Sequence, residues 1–309
     1  MKLKNFIGCK KLSSILFFST LSLLYLLLAI RVSSLWPKTS DQASYFLAGL
    51  DVLRGNWRLK GWVLTPPDFW TSDIPLSATL AAFWYALGHP ARSPFLLMVQ
   101  PAILWTGVVV SAFAVVFLRL PDRQSRLGAA ALLLPVLAFP LLRAPTAYFI
   151  TLSAIHMGVL IYGVWAFHWA DRFLSSGSWR SLFIMALLLC LGVIGDPLLA
   201  ITGAGSLLLY AALARELPKK HRFLLAGATL VAVMLAKTLL HLHAATGGFE
   251  TEPLDTRFSP CEQFSSHRLS TFRPILLVHD ADPSAPAVST VLTYCPRLFP
   301  VCPALAGAY

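Results

Sequence analysis

Apolar stretches too long for a soluble core recur down most of this 309-residue chain. They cover residues 12–35, 95–118, 127–142, 148–169, 181–195, 197–214 and 223–243. Each is roughly 15 to 24 residues long, against the ~20 that carry a helix across a lipid hydrocarbon layer. Lipid offers no partner for exposed backbone N–H and C=O groups, so such stretches must enter it as helices. Composition agrees: the chain is 57% hydrophobic and only 13% charged, about half the ~25% charge of an ordinary soluble domain. The expected fold class is therefore all-α: a polytopic helical membrane protein of about seven transmembrane helices, not a chain with one buried core.

Cations orient the bundle. The net charge is +11, which in a soluble protein would suggest nucleic acid. Here there is no basic stripe with interleaved aromatics, and nucleic acid is not an expected partner. The cations sit in short loops: Lys2, Lys4, Lys10 and Lys11; Arg119, Arg123 and Arg126; Arg172 and Arg180; Arg215, Lys219, Lys220 and Arg222. All four groups share one side only if residues 74–88 do not cross. That run, about 22 Å of helix at 1.5 Å per residue, is also short for a ~30 Å core. The positive-inside rule then places the N-terminus in the cytoplasm and makes residues 36–94 one large outer loop. The first apolar run is long and closes on no small-residue cleavage site, so it is expected to stay as an anchor.

The outer loop carries two interfacial helices by its pattern. Residues 41–54 place Ala43, Phe46, Leu47, Leu50 and Leu53 on one helical face, and Gly55-Asn56 ends that helix. Trp57, Trp62, Phe69 and Trp70 follow, as in an aromatic belt at a lipid–water boundary. Ser72-Asp73-Ile74-Pro75 opens the second helix with an acid cap and a first-turn proline, and Leu87-Gly88 closes it. Domain organisation is a membrane module over 1–254 and a tail over 255–309. The tail is rich in proline, holds Cys261, Cys295 and Cys302 of the five cysteines, and lacks any long apolar run. Two readings of it stand: a disordered segment, or one translated outside the native reading frame.

The order of these features resembles the GT-C superfamily, membrane glycosyltransferases that use polyprenyl-phosphate sugars, such as lipid A aminoarabinose transferases and protein O-mannosyltransferases. In that superfamily a D-E-x-x-Y motif follows the first span. Asp41-Gln42-Ala43-Ser44-Tyr45 resembles it, with Gln42 in place of the second acid. Ile74-Pro75-Leu76 and Phe83-Trp84-Tyr85-Ala86-Leu87-Gly88 resemble the start and end of the second loop helix. The resemblance covers residues 12–250.

It implies a transferase in the bacterial inner membrane. The enzyme would move a sugar from a polyprenyl-phosphate donor to an outer-face lipid, glycan or protein, with the donor and membrane lipids as partners. Such a transfer needs a base for the acceptor proton and positive charge at the departing phosphate. Asp41 is the candidate base, with a helix N-cap as its structural alternative. Asp73 could assist it, or the two could hold a divalent cation. Arg54, Arg58 and Lys60 are candidates for the lipid phosphate, since guanidinium groups match phosphate oxygens. His156, about two turns inside its span, and Asp196, in the Gly195-Asp196-Pro197 turn, are candidate cavity-lining residues. Asp51 and Asp68 are expected to be solvated loop acids. Two other classes remain open: a transporter or flippase, which would show repeats and paired broken helices, and a non-catalytic or truncated membrane protein of the same fold.

Overall fold

A computed structural model describes residues 2–120, 122–138, 147–148, 151–153 and 156–252; the tail over 255–309 lies outside them. The described chain is mostly helical, with nine α-helices. We number them α1 (Lys2–Ser33), α2 (Ser40–Leu53), α3 (Asp73–Ala86), α4 (Leu96–Arg119), α5 (Arg123–Ala138), α6 (Met157–Ser176), α7 (Trp179–Gly195), α8 (Ser206–Leu213) and α9 (Lys219–Ala245). By length and composition α4 and α9 can cross a membrane. Phe18–Ser33, Trp179–Gly195 and Ala200–Leu213 are shorter apolar helices.

Helices α1, α4, α6, α7 and α9 form a row, each packed on the next, while α2 and α3 pair with each other beside it. Small residues let the row close. In α9 the buried seam is Leu225, Thr229, Ala232 and Ala236, a spacing of four, three and four that keeps one stripe against α7. In α7, a Cβ on Gly192 would stand 2.3 Å from Leu199 Cδ2 and 3.2 Å from Tyr162 Cβ, so any larger residue would displace the Leu199 side chain. Trp105 of α4 donates its indole N–H to the Tyr25 hydroxyl of α1 at 2.7 Å.

Both loop helices form where the pattern places them, and their ends explain why. Thr39 caps α2 in a capping box with Gln42, and Gly55 at φ +96° follows its C-terminus. Asp41 is thus a first-turn acid, favourable at the positive end of a helix dipole, and not the N-cap. Gln42, standing where the resemblance expects an acid, is 1% exposed. Its Nε2–H donates to Leu152 O at 3.1 Å, and its Oε1 accepts from the Thr39 N–H at 3.0 Å and the Tyr148 O–H at 3.2 Å. Helix α2 meets α3 through Gly49, where a Cβ would lie 2.6 Å from Ser77 Cβ and 2.8 Å from the Ala78 nitrogen.

Three expectations are corrected. Residues 148–169 are not one helix, because His156 takes the left-handed conformation (φ +62°) and α6 starts at Met157. His156 therefore precedes its helix instead of lying two turns inside a span. The stretch after Pro197 opens as a π-helix, Ala200–Gly205, before α8. Finally, two-residue strands β1 (Val63–Leu64) and β2 (Glu250–Thr251) pair in parallel, tying the loop to the end of α9.

Gln42 gives the first testable consequence. Gln42→Glu restores the acid of the resembling motif, but it sets a carboxylate against the Leu152 carbonyl in a buried place. It should destabilise the folded protein by on the order of 3 kcal/mol, read as a lower thermal unfolding midpoint in detergent micelles. An unchanged midpoint would contradict this anchoring of α2.

Candidate functional site

The loop between β1 and α3 folds inward onto α6 and the end of α7. Phe69 N–H donates to Gly195 O at 2.9 Å, the Thr71 hydroxyl to Leu191 O at 2.7 Å, and the Tyr162 hydroxyl to Thr71 O at 2.7 Å. Two glycines permit the approach. A Cβ on Gly158 would lie 2.6 Å from Ser72 Cβ, and one on Gly195 would lie 2.6 Å from Thr71 Oγ1. The loop thereby carries two acids out of water and sets them beside a third.

Asp73 opens α3 and is fully buried. It does not receive the expected side-chain cap role: Ser72 is the N-cap position and makes no cap bond. Instead the Ser72 hydroxyl donates to Asp73 Oδ2 at 2.9 Å, and Gln100 Nε2–H donates to Asp73 O at 3.3 Å and to Oδ1 at 3.4 Å. Burial pushes the Asp73 carboxyl up to about 7; the Ser72 hydroxyl and His156 oppose this, and Asp196 adds to it. Asp68, expected to be solvated, is 2% exposed. Its Oδ1 accepts the Trp70 N–H at 2.8 Å. Burial pushes this carboxyl, too, up to about 7, against that hydrogen bond and with repulsion from Asp196. Asp196 is also buried. Its Oδ1 accepts the Leu198 N–H at 2.8 Å, an Asx-type start to the next turn. Its Oδ2 is bonded to His156 Nδ1.

His156 links this interior to the outside. Its side chain keeps 36% of its surface accessible, against 4% for Asp196. Its ring meets that of Phe69 edge-on at 5.9 Å. Phe69 is left-handed as well, at φ +52°. Non-glycine residues held in that region gather where the surrounding structure over-determines them, at functional sites above all.

Tyr45 joins the cluster to Asp41. It lies one helical turn beyond Asp41 on α2 and packs edge-on against Phe69 at 4.8 Å. Its hydroxyl shares a 2.8 Å hydrogen bond with Thr65 Oγ1 and donates to Pro67 O at 3.2 Å. Burial pushes its hydroxyl up to about 12, the Thr65 bond opposes this, and the charges of Asp41, Asp73 and Asp68 add to it. Asp41 itself is exposed.

The structure thus brings together Asp73, His156 and Asp196 of the expected site residues, and adds Asp68 and Tyr45. It does not bring in the basic residues. Arg58 is committed elsewhere: its Nη1–H donates to Thr246 O at 3.1 Å and its guanidinium lies 4.7 Å from the Trp57 ring centre, at the carbonyl end of α9 where a cation is favoured. Arg54 and Lys60 are exposed, and neither bonds to the cluster. Asp51 is not a free solvated acid. Its Oδ2 accepts from Asn56 Nδ2 at 2.6 Å and Trp62 Nε1 at 2.9 Å, and the Trp62 bond, then the Asn56 bond, hold its carboxyl below the usual range.

A divalent cation shared by Asp41 and Asp73 does not fit: one is exposed, and the other is sealed beneath Ser72 and Gln100. Among the described residues no group of three or more His, Cys, Asp or Glu side chains is set to hold a metal ion. Compared with protein-family models, curated proteins and solved structures, the chain matches none.

The raised carboxyls fix a sign for pH. Their ordinary value is 3.8, so between there and about 7 the folded state binds more protons than the unfolded one. Their stabilising contribution is full below the ordinary value and is lost as pH rises through about 7. Thermal stability in detergent should therefore fall between pH 5 and pH 8, by on the order of a few kcal/mol. The fall should be flatter in the Asp68→Asn/Asp73→Asn protein. A wild-type midpoint that rises over this interval would contradict the burial of both acids.

Proposed function

We propose that the protein is an integral membrane glycosyltransferase of the GT-C kind. It moves a sugar from a polyprenyl-phosphate donor to a lipid, glycan or protein at the outer face of a bacterial inner membrane. In this reading seven helices cross the bilayer, the N-terminus is cytoplasmic, and α2 and α3 lie along the outer interface. One observation carries the reading: the loop after the first apolar helix folds as two helices and presents an exposed carboxylate, Asp41, one helical turn from Tyr45, which packs on the loop that holds the buried acids. Tyr45 supports the link between them, since its hydroxyl lies in the fields of Asp41, Asp68 and Asp73.

The chemistry then divides by exposure. Asp41 can reach an acceptor hydroxyl or amine and take its proton as the bond to the sugar forms. Asp73, sealed from solvent, cannot touch a substrate and positions the start of α3 and the charges around His156. The basic groups proposed for the lipid phosphate keep a weaker role: Arg54 and Lys60 are free to meet anionic headgroups, and Arg58 fastens the loop to α9.

The test is transfer by purified protein in liposomes supplied with a set of polyprenyl-phosphate sugars, read as released polyprenyl phosphate. Asp41→Asn should lose about 100-fold in rate, the lower range for removing a general base, with the unfolding midpoint lowered by no more than about 3 °C. Full activity in that variant would remove Asp41 from the mechanism. No transfer by the wild type from any such donor would remove the reading itself.

A further inference from the structure

We infer that His156, oriented by Asp196, is the acid that gives a proton to the departing lipid phosphate. The inference rests on the transfer reaction proposed above and deepens it. Breaking the bond between a sugar and a phosphate leaves charge on the phosphate oxygen, and a proton or a cation there speeds its departure. The basic loop residues that the sequence offers for this do not serve, because Arg58 is bound to the end of α9 and neither Arg54 nor Lys60 touches the cluster. Within the cluster His156 is the one described side chain able to carry positive charge.

Its setting suits an acid. Asp196 holds Nδ1 from a buried position and is itself fixed by the Leu198 N–H. That fixes the ring and leaves Nε2 without a hydrogen bond among the described residues, on a side chain that a ligand can reach. The groups that face it are Asp196 from the turn after α7, Asp73 from α3, and Phe69 from the loop. No described arginine or lysine stands among them. The backbone is left-handed at both His156 and Phe69, whose rings meet.

The step balances without any co-reactant. The bond from the anomeric carbon to the phosphate oxygen breaks as the bond from that carbon to the acceptor oxygen or nitrogen forms. The acceptor's proton goes to Asp41, and the proton on His156 Nε2 goes to the phosphate oxygen. The net result is one proton moved from acceptor to lipid phosphate. Exchange with water then unloads Asp41 and reloads His156.

A leaving-group comparison tests this. The same sugar is supplied on farnesyl phosphate and on farnesyl phosphorothioate, with sulfur at a non-bridging position, whose departing oxygen is the weaker base and has less need of a proton. His156→Gln should lose about 100-fold on the phosphate donor and several-fold less than that on the phosphorothioate donor. Asp41→Asn should lose equally on both. Asp196→Asn, which keeps the imidazole, should show the His156→Gln pattern in weaker form and serves if His156→Gln fails to fold. Equal losses on the two donors in both the His156 and Asp196 variants, or no loss in either, would overturn the acid role while leaving the transferase reading standing. A wild type inactive on both donors would instead overturn the transferase reading.

Discussion

Three carboxylates taken out of water under one loop set the terms for the rest of this structure. An isolated ionised carboxylate is too costly to bury, so each must be protonated, paired or held by donors. Asp196 is paired with His156, Asp73 is held by Ser72 and Gln100, and Asp68 by the Trp70 N–H. These requirements reach into the sequence around them. Gly158 and Gly195 are where a side chain would push the loop away, and His156 adopts a left-handed backbone conformation from which α6 starts at Met157.

Keeping the loop in place takes contacts at both of its ends. On one side Gln42 locks the start of α2 to Leu152 and Tyr148. On the other, Arg58 and the β1–β2 pairing bind the loop to the C-terminal end of α9, with Trp70 stacked near His243 and Phe249 at ring separations of 4.4 and 5.6 Å. Between these anchors the loop has little freedom, and the acids are held at fixed positions relative to Tyr45 and His156. Such rigidity is what a site needs if proton-carrying groups are to meet a substrate at set positions.

The helices were the legible part of the sequence. An apolar stripe with Gly55 behind it marked α2, and Ser72 to Pro75 with Gly88 marked α3, because local propensity and breakers decide such elements. Apolar length likewise marked α4 and α9. The site was legible only in pieces. Asp41, Asp73, His156 and Asp196 stood out by chemistry and place, but Asp68 did not: nothing in Pro67-Asp68-Phe69 signals burial, which comes from contacts with Gly195 far along the chain. Arg58 was misread for the same reason, since its partner is a helix end almost the whole module away in sequence. The break at His156 escaped notice because apolar composition runs straight through it. Gln42, read as a missing acid, is a buried amide whose donor and acceptor are both used.

The central claim is that protons reside on buried carboxyls beside His156 near neutral pH. Infrared difference spectroscopy reads this directly, because a protonated carboxyl group has a C=O stretch distinct from that of a carboxylate. Titration from pH 5 to pH 9 should show such a band, lost with a midpoint near 7 and diminished in Asp73→Asn and in Asp68→Asn. No protonated-carboxyl band above pH 5, with the protein folded, would contradict the account.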